Sequence, residues 1–295
     1  MGAYVKLLEE QRYTDAARVT VLTALELPNL FALLEHLEPG PNADEVVYLT
    51  TRLFSLFQSL GKPRLLDRVM QAHAAAEATM NRAWNHGHFN ALGVKVEYQL
   101  ARGQLHEALN GADHLLRRSE AAGNAAYAGA DYDLAMAHLQ FARVLQTAHR
   151  SERALQHLDK AQGLFQAVGL QRPSSGAAWM VSVCSHEQAD CLRALGRLDE
   201  AAGICEEAIR RDEQTNDQNG AAVGRGQLGT IRLQQRRFEQ ALNALVEACR
   251  AFERLGGSSA SRSKLAPDRR AARAGRTSQG GGGCLSEFAS TLSAA

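Results

Sequence analysis

Apolar side chains recur along this chain in steps of three and four, and the clearest run is Val223–Gly256. Ile231, Phe238, Ala241, Leu242, Leu245, Ala248 and Phe252 fall on one side of a helical projection, with Gln, Arg, Glu and Asn on the other. A polar break at Gln235–Arg237 divides the run into two amphipathic helices. Small residues in such a pair mark close approach. Gly229 and Ala241 are expected where the two helices come nearest, Ala248 where a following helix is seated, and Phe238 in the turn.

One hairpin of this kind cannot bury its apolar face alone, so copies should stack on it. They are found upstream at Leu192–Ile209, Phe141–Ala161, Val96–Leu116, Leu53–Met70 and Leu7–Arg18. Equivalent positions Ala16, Leu66, Ala108, Ala154, Ala201 and Ala241 are separated by 50, 42, 46, 47 and 40 residues. The same pattern predicts helices over Asp44–Leu60, Arg64–Met80, Phe89–Arg102, Leu105–Ala122, Tyr127–Thr147, Glu152–Val168, Ala177–Leu195 and Asp199–Gln214. Asn29 is expected to cap a short helix. Pro39–Asn42 is a break and Pro63 suits a first helical turn. Trp84–His88 and Thr215–Gly220 are expected to be irregular.

Leu228-Gly229, the aromatic Phe238 near the turn, and the spaced Ala241 and Ala248 resemble the tetratricopeptide repeat (TPR), a helical hairpin. The chain departs from that pattern at Arg232, where Tyr is usual, and at Arg236, where Gly is usual. Its repeat is also longer than the ~34 residues of the common form, and longer helices and loops are expected to absorb the difference. The resemblance implies an all-α fold, an α-solenoid with a right-handed superhelix of five to six hairpins. It is specific over 96–256 and weak over 1–95. Pro28, Asn29, Leu30, Leu33, Leu34 and Leu37 ahead of such hairpins are similar to the segment behind the switch domain of STAND-class signalling ATPases. No G-x-x-x-x-G-K-[ST] loop is present, so that similarity implies a sensor part only.

Composition supports helix throughout: Pro is scarce at 6 residues, aromatics make up 6%, and no alternating β-branched run reads as a strand. The net charge of +1 is uneven, because 257–295 holds six basic residues against Asp268 and Glu287. The remainder, 1–256, has 27 basic and 30 acidic residues, or −3. A mildly acidic body argues against a nucleic-acid groove. Residues 257–295, rich in Ser, Ala, Arg and Gly, are expected to be a disordered low-complexity tail. The cysteines are odd in number, at 184, 191, 205, 249 and 284, with no C-x-x-C pair. Free thiols in a reducing cytoplasm are the expectation. No signal peptide and no span of ~20 apolar residues is evident, so no membrane partner is expected.

Three motifs invite chemical readings. Gly224-Arg225-Gly226-Gln227-Leu228-Gly229 spells G-x-G-x-x-G but lies within a helical hairpin, where a dinucleotide site would need a preceding strand. His186-Glu187-Gln188-Ala189-Asp190 approaches a zinc-hydrolase motif, with Glu187 as a base, but lacks a third ligand. His86-Gly87-His88 offers two histidines only. No metal, no cofactor and no catalytic residue is assigned.

In a TPR array the first helix of each pair lines a concave groove. Counting from the packing positions places Thr51, Ser55 and Gln58, then Glu97, then Leu139, Arg143 and Gln146, then His186, Asp190 and Arg193, then Thr230 and Gln234 on that lining. The mixed signs and amides suit an extended peptide or helix. Arg143, His186, Asp190 and Arg193 are expected to converge on one ligand segment. The binding set is therefore Glu97, Arg143, Gln146, His186, Asp190, Arg193 and Gln234. The chain is expected to be a non-enzymatic interaction scaffold or sensor, with the inducer-sensing fragment of a STAND-type regulator as the alternative and a metal-dependent hydrolase as a remote one.

Overall fold

The structure, a computed structural model, describes residues 2–11, 16–36, 43–58, 60, 63–80 and 83–255. The expected tail at 257–295, the break at Pro39–Asn42 and Leu37 lie outside the described residues. Thirteen α-helices and one short 3-10 turn are described, with no strand among the described residues. They are α1 (Gly2–Gln11), α2 (Ala16–Leu25), α3 (Leu27–His36), α4 (Ala43–Gln58), α5 (Pro63–Glu77), α6 (His86–Ala101), α7 (Leu105–Ala122), α8 (Ala130–Thr147), α9 (Ser151–Gln171), α10 (Ala177–Ala194), α11 (Leu198–Gln214), α12 (Gln218–Gln234) and α13 (Phe238–Arg254). The fold class is the expected all-α helical-repeat solenoid.

The chain divides into two compact units, Met1–Cys184 and Ser185–Ala295, with the boundary inside α10. In the first unit, Val5, Leu8, Leu30, Leu53, Phe54, Phe57 and Val69 form a core shared by α1 and α3–α5. Helices α4 and α5, α6 and α7, and α8 and α9 pair as hairpins, and the first helices α4, α6 and α8 pack side by side. Between α8 and α9 the buried residues are Ala135, Leu139, Ala142, Leu145, Ala154, Leu158, Ala161 and Phe165. Leu139 is therefore a core residue rather than part of a groove lining. In the second unit α12 packs against α11 and α13. Gly229 supplies the close approach expected of it, since a Cβ there would stand 2.6 Å from Leu245 Cγ and 3.2 Å from the carbonyl oxygen of Ala241. Ala248 packs in one cluster with Ala222 of α12 and with Leu245, Ala251 and Phe252; a following helix would lie outside the described residues. Phe238 and Leu242 are about half exposed, so Phe238 does not fill the turn.

Four hairpins reverse through the same device. The second residue after the first helix adopts left-handed backbone: Gly103 (φ 72°), His149 (φ 56°), Gly196 (φ 76°) and Arg236 (φ 60°). The next residue donates its N–H five residues back, as Gln104 to Gln99, Arg150 to Leu145, Arg197 to Leu192 and Arg237 to Arg232, at 2.8–2.9 Å. This closes the orphaned carbonyls of the helix end. Asn216 (φ 58°) does the same between α11 and α12. That link spans only 215–217, so the loop expected over Thr215–Gly220 is shorter, and α12 starts at Gln218 because Asp217 caps it. The extra repeat length lies in helices of 16–21 residues between α6 and α13 and in the links 123–129 and 172–176.

Two other starts differ from expectation. Asn29 lies inside α3 and binds Glu26 through its amide at 2.8 Å, so it is not the cap. Asn85 caps α6 instead, accepting from the N–H of His88 at 3.0 Å, which makes His86-Gly87-His88 a first helical turn. Arg232 is mostly buried and bridges Glu206 on α11 at 2.5 Å and Gln235 at 2.9 Å, which explains a guanidinium where the repeat pattern has Tyr.

The first unit also buries neutral histidines. His73 donates from Nε2 to the carbonyl of Ala91 at 3.2 Å and accepts at Nδ1 from the Thr50 hydroxyl at 2.8 Å, joining α4, α5 and α6. Burial holds its pKa below the usual value. His138 on α8 meets His157 on α9 with their Nδ1 atoms 3.0 Å apart. Burial first, then His157 and Lys160, push His138 down to about 4.

Two outcomes follow from these features. A non-glycine residue in left-handed backbone carries strain on the order of 1 kcal/mol, which glycine lacks, against a larger loss of chain entropy. Arg236→Gly should therefore raise the unfolding free energy by ~0.5–1 kcal/mol in urea denaturation. The depressed histidines must be neutral to stay buried. Their stabilisation is complete above the unfolded value near 6.5 and is lost as pH falls towards 4. Between about pH 7 and about pH 4 the chain should lose ~2–3 kcal/mol through His138, and His138→Gln should flatten that slope.

Candidate functional site

Within the second unit, polar side chains from α10, α11 and α12 form one connected cluster. It begins with Asp212 near the end of α11, whose carboxylate is 1% exposed. That carboxylate accepts from His186 Nε2 on α10 at 3.0 Å. On the other side of the ring, Nδ1 lies 3.0 Å from Gln227 Oε1 on α12. Gln227 in turn donates from Nε2 to Asp190 Oδ2 at 2.8 Å and to the carbonyl of His186 at 3.3 Å. Arg193 Nε approaches Asp190 Oδ1 at 3.5 Å. Asp212 and His186 thus form the buried end, and Asp190 and Arg193, 40% and 32% exposed, form the accessible end.

The glycines of α12 make room for this cluster. A Cβ on Gly224 would stand 2.9 Å from His186 Cε1 and 2.7 Å from Ile209 Cγ1. A Cβ on Gly220 would stand 2.8 Å from Asp212 Oδ2. The G-x-G-x-x-G spelling therefore has a packing cause: Gly224 admits the histidine ring and Gly229 admits Leu245. Burial dominates the electrostatics of the accessible end. It raises the Asp190 carboxyl above its usual value, Arg193 and Gln227 only partly opposing it. Beneath it the Cys205 thiol is pushed up to about 12 by burial and by the charge of Asp190, so it stays protonated. Cys184, Cys191 and Cys249 are likewise buried free thiols.

Of the residues expected to line a groove, His186 and Asp190 are joined through Gln227, and Arg193 extends the set. Thr230 is half-buried on α12 and gives its hydroxyl to the Gly226 carbonyl at 3.1 Å, while Gln234 is exposed at the end of the same helix. Glu97 on α6 and Arg143 and Gln146 on α8 belong to the first unit and are half-buried there. Thr51 and Ser55 on α4 are also half-buried, and Gln58 is exposed. Asp212 was not singled out by the sequence, and Gly224 and Gln227 entered only as letters of the G-x-G-x-x-G spelling. Both ring nitrogens of His186 face hydrogen-bond acceptors, so neither is open to a metal, and no metal-holding group of His, Cys, Asp or Glu occurs among the described residues.

The first unit has a second polar cluster. Asp133, almost fully buried at the start of α8, accepts from His86 Nδ1 at 2.7 Å and from the Tyr127 hydroxyl at 2.8 Å. This pairing raises the pKa of His86.

Residues 182–254 match the family model described as tetratricopeptide repeat. These residues are tetratricopeptide repeats. Solved TPR-type folds extend the likeness over the chain at low identity. BtubC from P. vanneervenii superposes with a TM-score of 0.57 at 16% identity, over 88% of this chain and 95% of that one. The apo form of RapI gives 0.54 at 14% identity, over 89% and 70%. A STAND protein from Pyrococcus horikoshii with a TPR sensor gives 0.52 at 14% identity, over 89% of this chain but 42% of its own. No curated protein sequence matches the chain. The first helices of the two matched TPR hairpins are α10 and α12, so the polar cluster sits between successive first helices.

The tight fit of the ring gives a direct expectation. Gly224→Ala should force His186 and Ile209 apart from α12 and cost ~1–3 kcal/mol of stability, as overpacking does. A thermal melt of the variant within a degree of wild type would show that the ring has slack.

Proposed function

We propose that this chain is a protein-interaction module that holds a peptide or helix of a partner against the first helices of its repeats. The observation that carries the reading is the half-exposed set of Asp190, Arg193 and Gln227, braced from behind by His186 and Asp212. A polar group anchored in this way is pre-organised, which lowers the entropy lost on binding. Asp190 accepts a donor from the ligand, such as a backbone amide or an ammonium, while Arg193 pairs with a carboxylate. Within the first unit taken by itself, the half-buried Glu97, Arg143 and Gln146 on α6 and α8 are the residues proposed to meet a ligand.

The repeat fold supports recognition rather than chemistry, and a non-catalytic role is part of the proposal. A cytoplasmic setting accords with the four buried free thiols, and no described helix is long and apolar enough to cross a membrane. The alternative, an inducer sensor within a STAND-type regulator, draws on the likeness to a STAND protein with a TPR sensor. A mildly acidic body speaks against nucleic acid as the partner.

Residues 1–256 used as bait, with bound proteins identified by mass spectrometry and their segments titrated calorimetrically, test the reading. Asp190→Ala with Arg193→Ala should weaken the recovered segment by ~1–3 kcal/mol while circular dichroism and melting stay near wild type. Unchanged affinity would remove this face from the binding role.

A further inference from the structure

His186 has an acceptor at each ring nitrogen, Asp212 Oδ2 and Gln227 Oε1, both at 3.0 Å. The amide of Gln227 is not interchangeable end for end. Its Nε2 faces two acceptors, Asp190 Oδ2 and the His186 carbonyl, so a turned amide would set its oxygen against both. A neutral imidazole carries a single N–H, and serving two acceptors requires both nitrogens to be protonated. Only an imidazolium can serve both at once.

We propose that His186 and Gln227 form a proton-driven amide switch that sets what Asp190 presents on the binding face. With the ring doubly protonated, Gln227 turns its oxygen to the ring and its NH2 group to Asp190. When Nδ1 releases its proton to solvent, Nε2–H stays on the buried Asp212 carboxylate and Nδ1 becomes a bare acceptor. The amide then turns over, gives up its 3.3 Å bond to the His186 carbonyl, gives an N–H to Nδ1 and directs its oxygen at Asp190. Asp190 must take up a proton or swing towards Arg193 and solvent, so the face changes from anchored acceptor to donor or open carboxylate. Burial already favours the protonated Asp190.

The surroundings restrict the movement to the amide. Gly224 lies against Cε1, so the ring has α12 backbone on one side and cannot tilt freely. The ionisable groups facing the cluster from α10 are Glu187, Asp190 and Arg193. From α11 come Asp212, the Cys205 thiol and Arg211, which binds Ser185 Oγ at 3.2 Å. From the α12 side comes Asp217, whose carboxylate borders Gly220 together with that of Asp212. None of these donates to Nδ1 in place of Gln227.

This switch rests on the reading of the α10–α12 face as a binding face, but its test needs no partner. Side-chain resonances of His186, Gln227 and Asp190 are followed by NMR on the full chain from about pH 5 to about pH 9, the span in which histidines titrate. The His186 ring, the Gln227 NH2 pair and the Asp190 carboxyl should move with one common midpoint. In Gln227→Met, checked for folding by circular dichroism, the Asp190 signal should no longer follow the ring. The switch is overturned by a Gln227 amide that stays unmoved while His186 titrates, by an unbroken Asp190 response in Gln227→Met, or by a ring that keeps both protons throughout. Any of these leaves the binding reading intact, because that reading fails only if Asp190→Ala with Arg193→Ala leaves affinity for the recovered segment unchanged.

Discussion

The structure depends on reversing the chain within about three residues at the ends of α6, α8, α10 and α12. A longer link would let the two helices of a hairpin slide, and their small residues would lose register. The left-handed residue and the hydrogen bond five residues back fix the exit direction, so the second helix leaves the turn already aligned on the first. Close contacts then follow from geometry. Ala241 and Leu245 reach Gly229 because the turn at Arg236 places them opposite it. Helical stability here comes from that packing more than from the propensity of single residues.

The turns and the buried stripe were legible because both are local. Gly103 and Gly196 sit after a helical run, and the stripes of α7, α9, α11 and α13 repeat in steps of three and four. His149 and Arg236 hold the same backbone without glycine, and there the polar break between two apolar stripes, rather than a glycine, marked the turn. Helix starts were read less well. Asn85 and Asp217 cap helices that begin several residues before their first apolar residue, and Asn29 resembles a cap while binding Glu26 within a helix.

The candidate site was only half legible. Spacing placed His186, Asp190 and Arg193 on one face of α10. Their partners lie 26 and 41 residues further on, and nothing local joins them. One clue existed: Asp212 continues the stripe Ala201, Cys205, Ala208, where an unpaired carboxylate would be costly and a buried partner was therefore required. A basic residue with no obvious outlet, His186, was the natural candidate. In the proposed reading His186 braces the binding face from behind through Asp212 and Gln227.

Gly224 has a consequence for how such a sequence can drift. The space it leaves is filled by the ring of His186, which bonds Asp212 through Nε2, and that carboxylate in turn occupies the space beside Gly220. Four positions spread over three helices thus behave as one inherited unit. A side chain gained at 224 is tolerable only after the ring at 186 has shrunk, and the acid at 212 has then lost its reason to be buried. Among divergent relatives these positions should change together or not at all, so that their joint identity marks descent more faithfully than the alanines and leucines that any TPR hairpin requires.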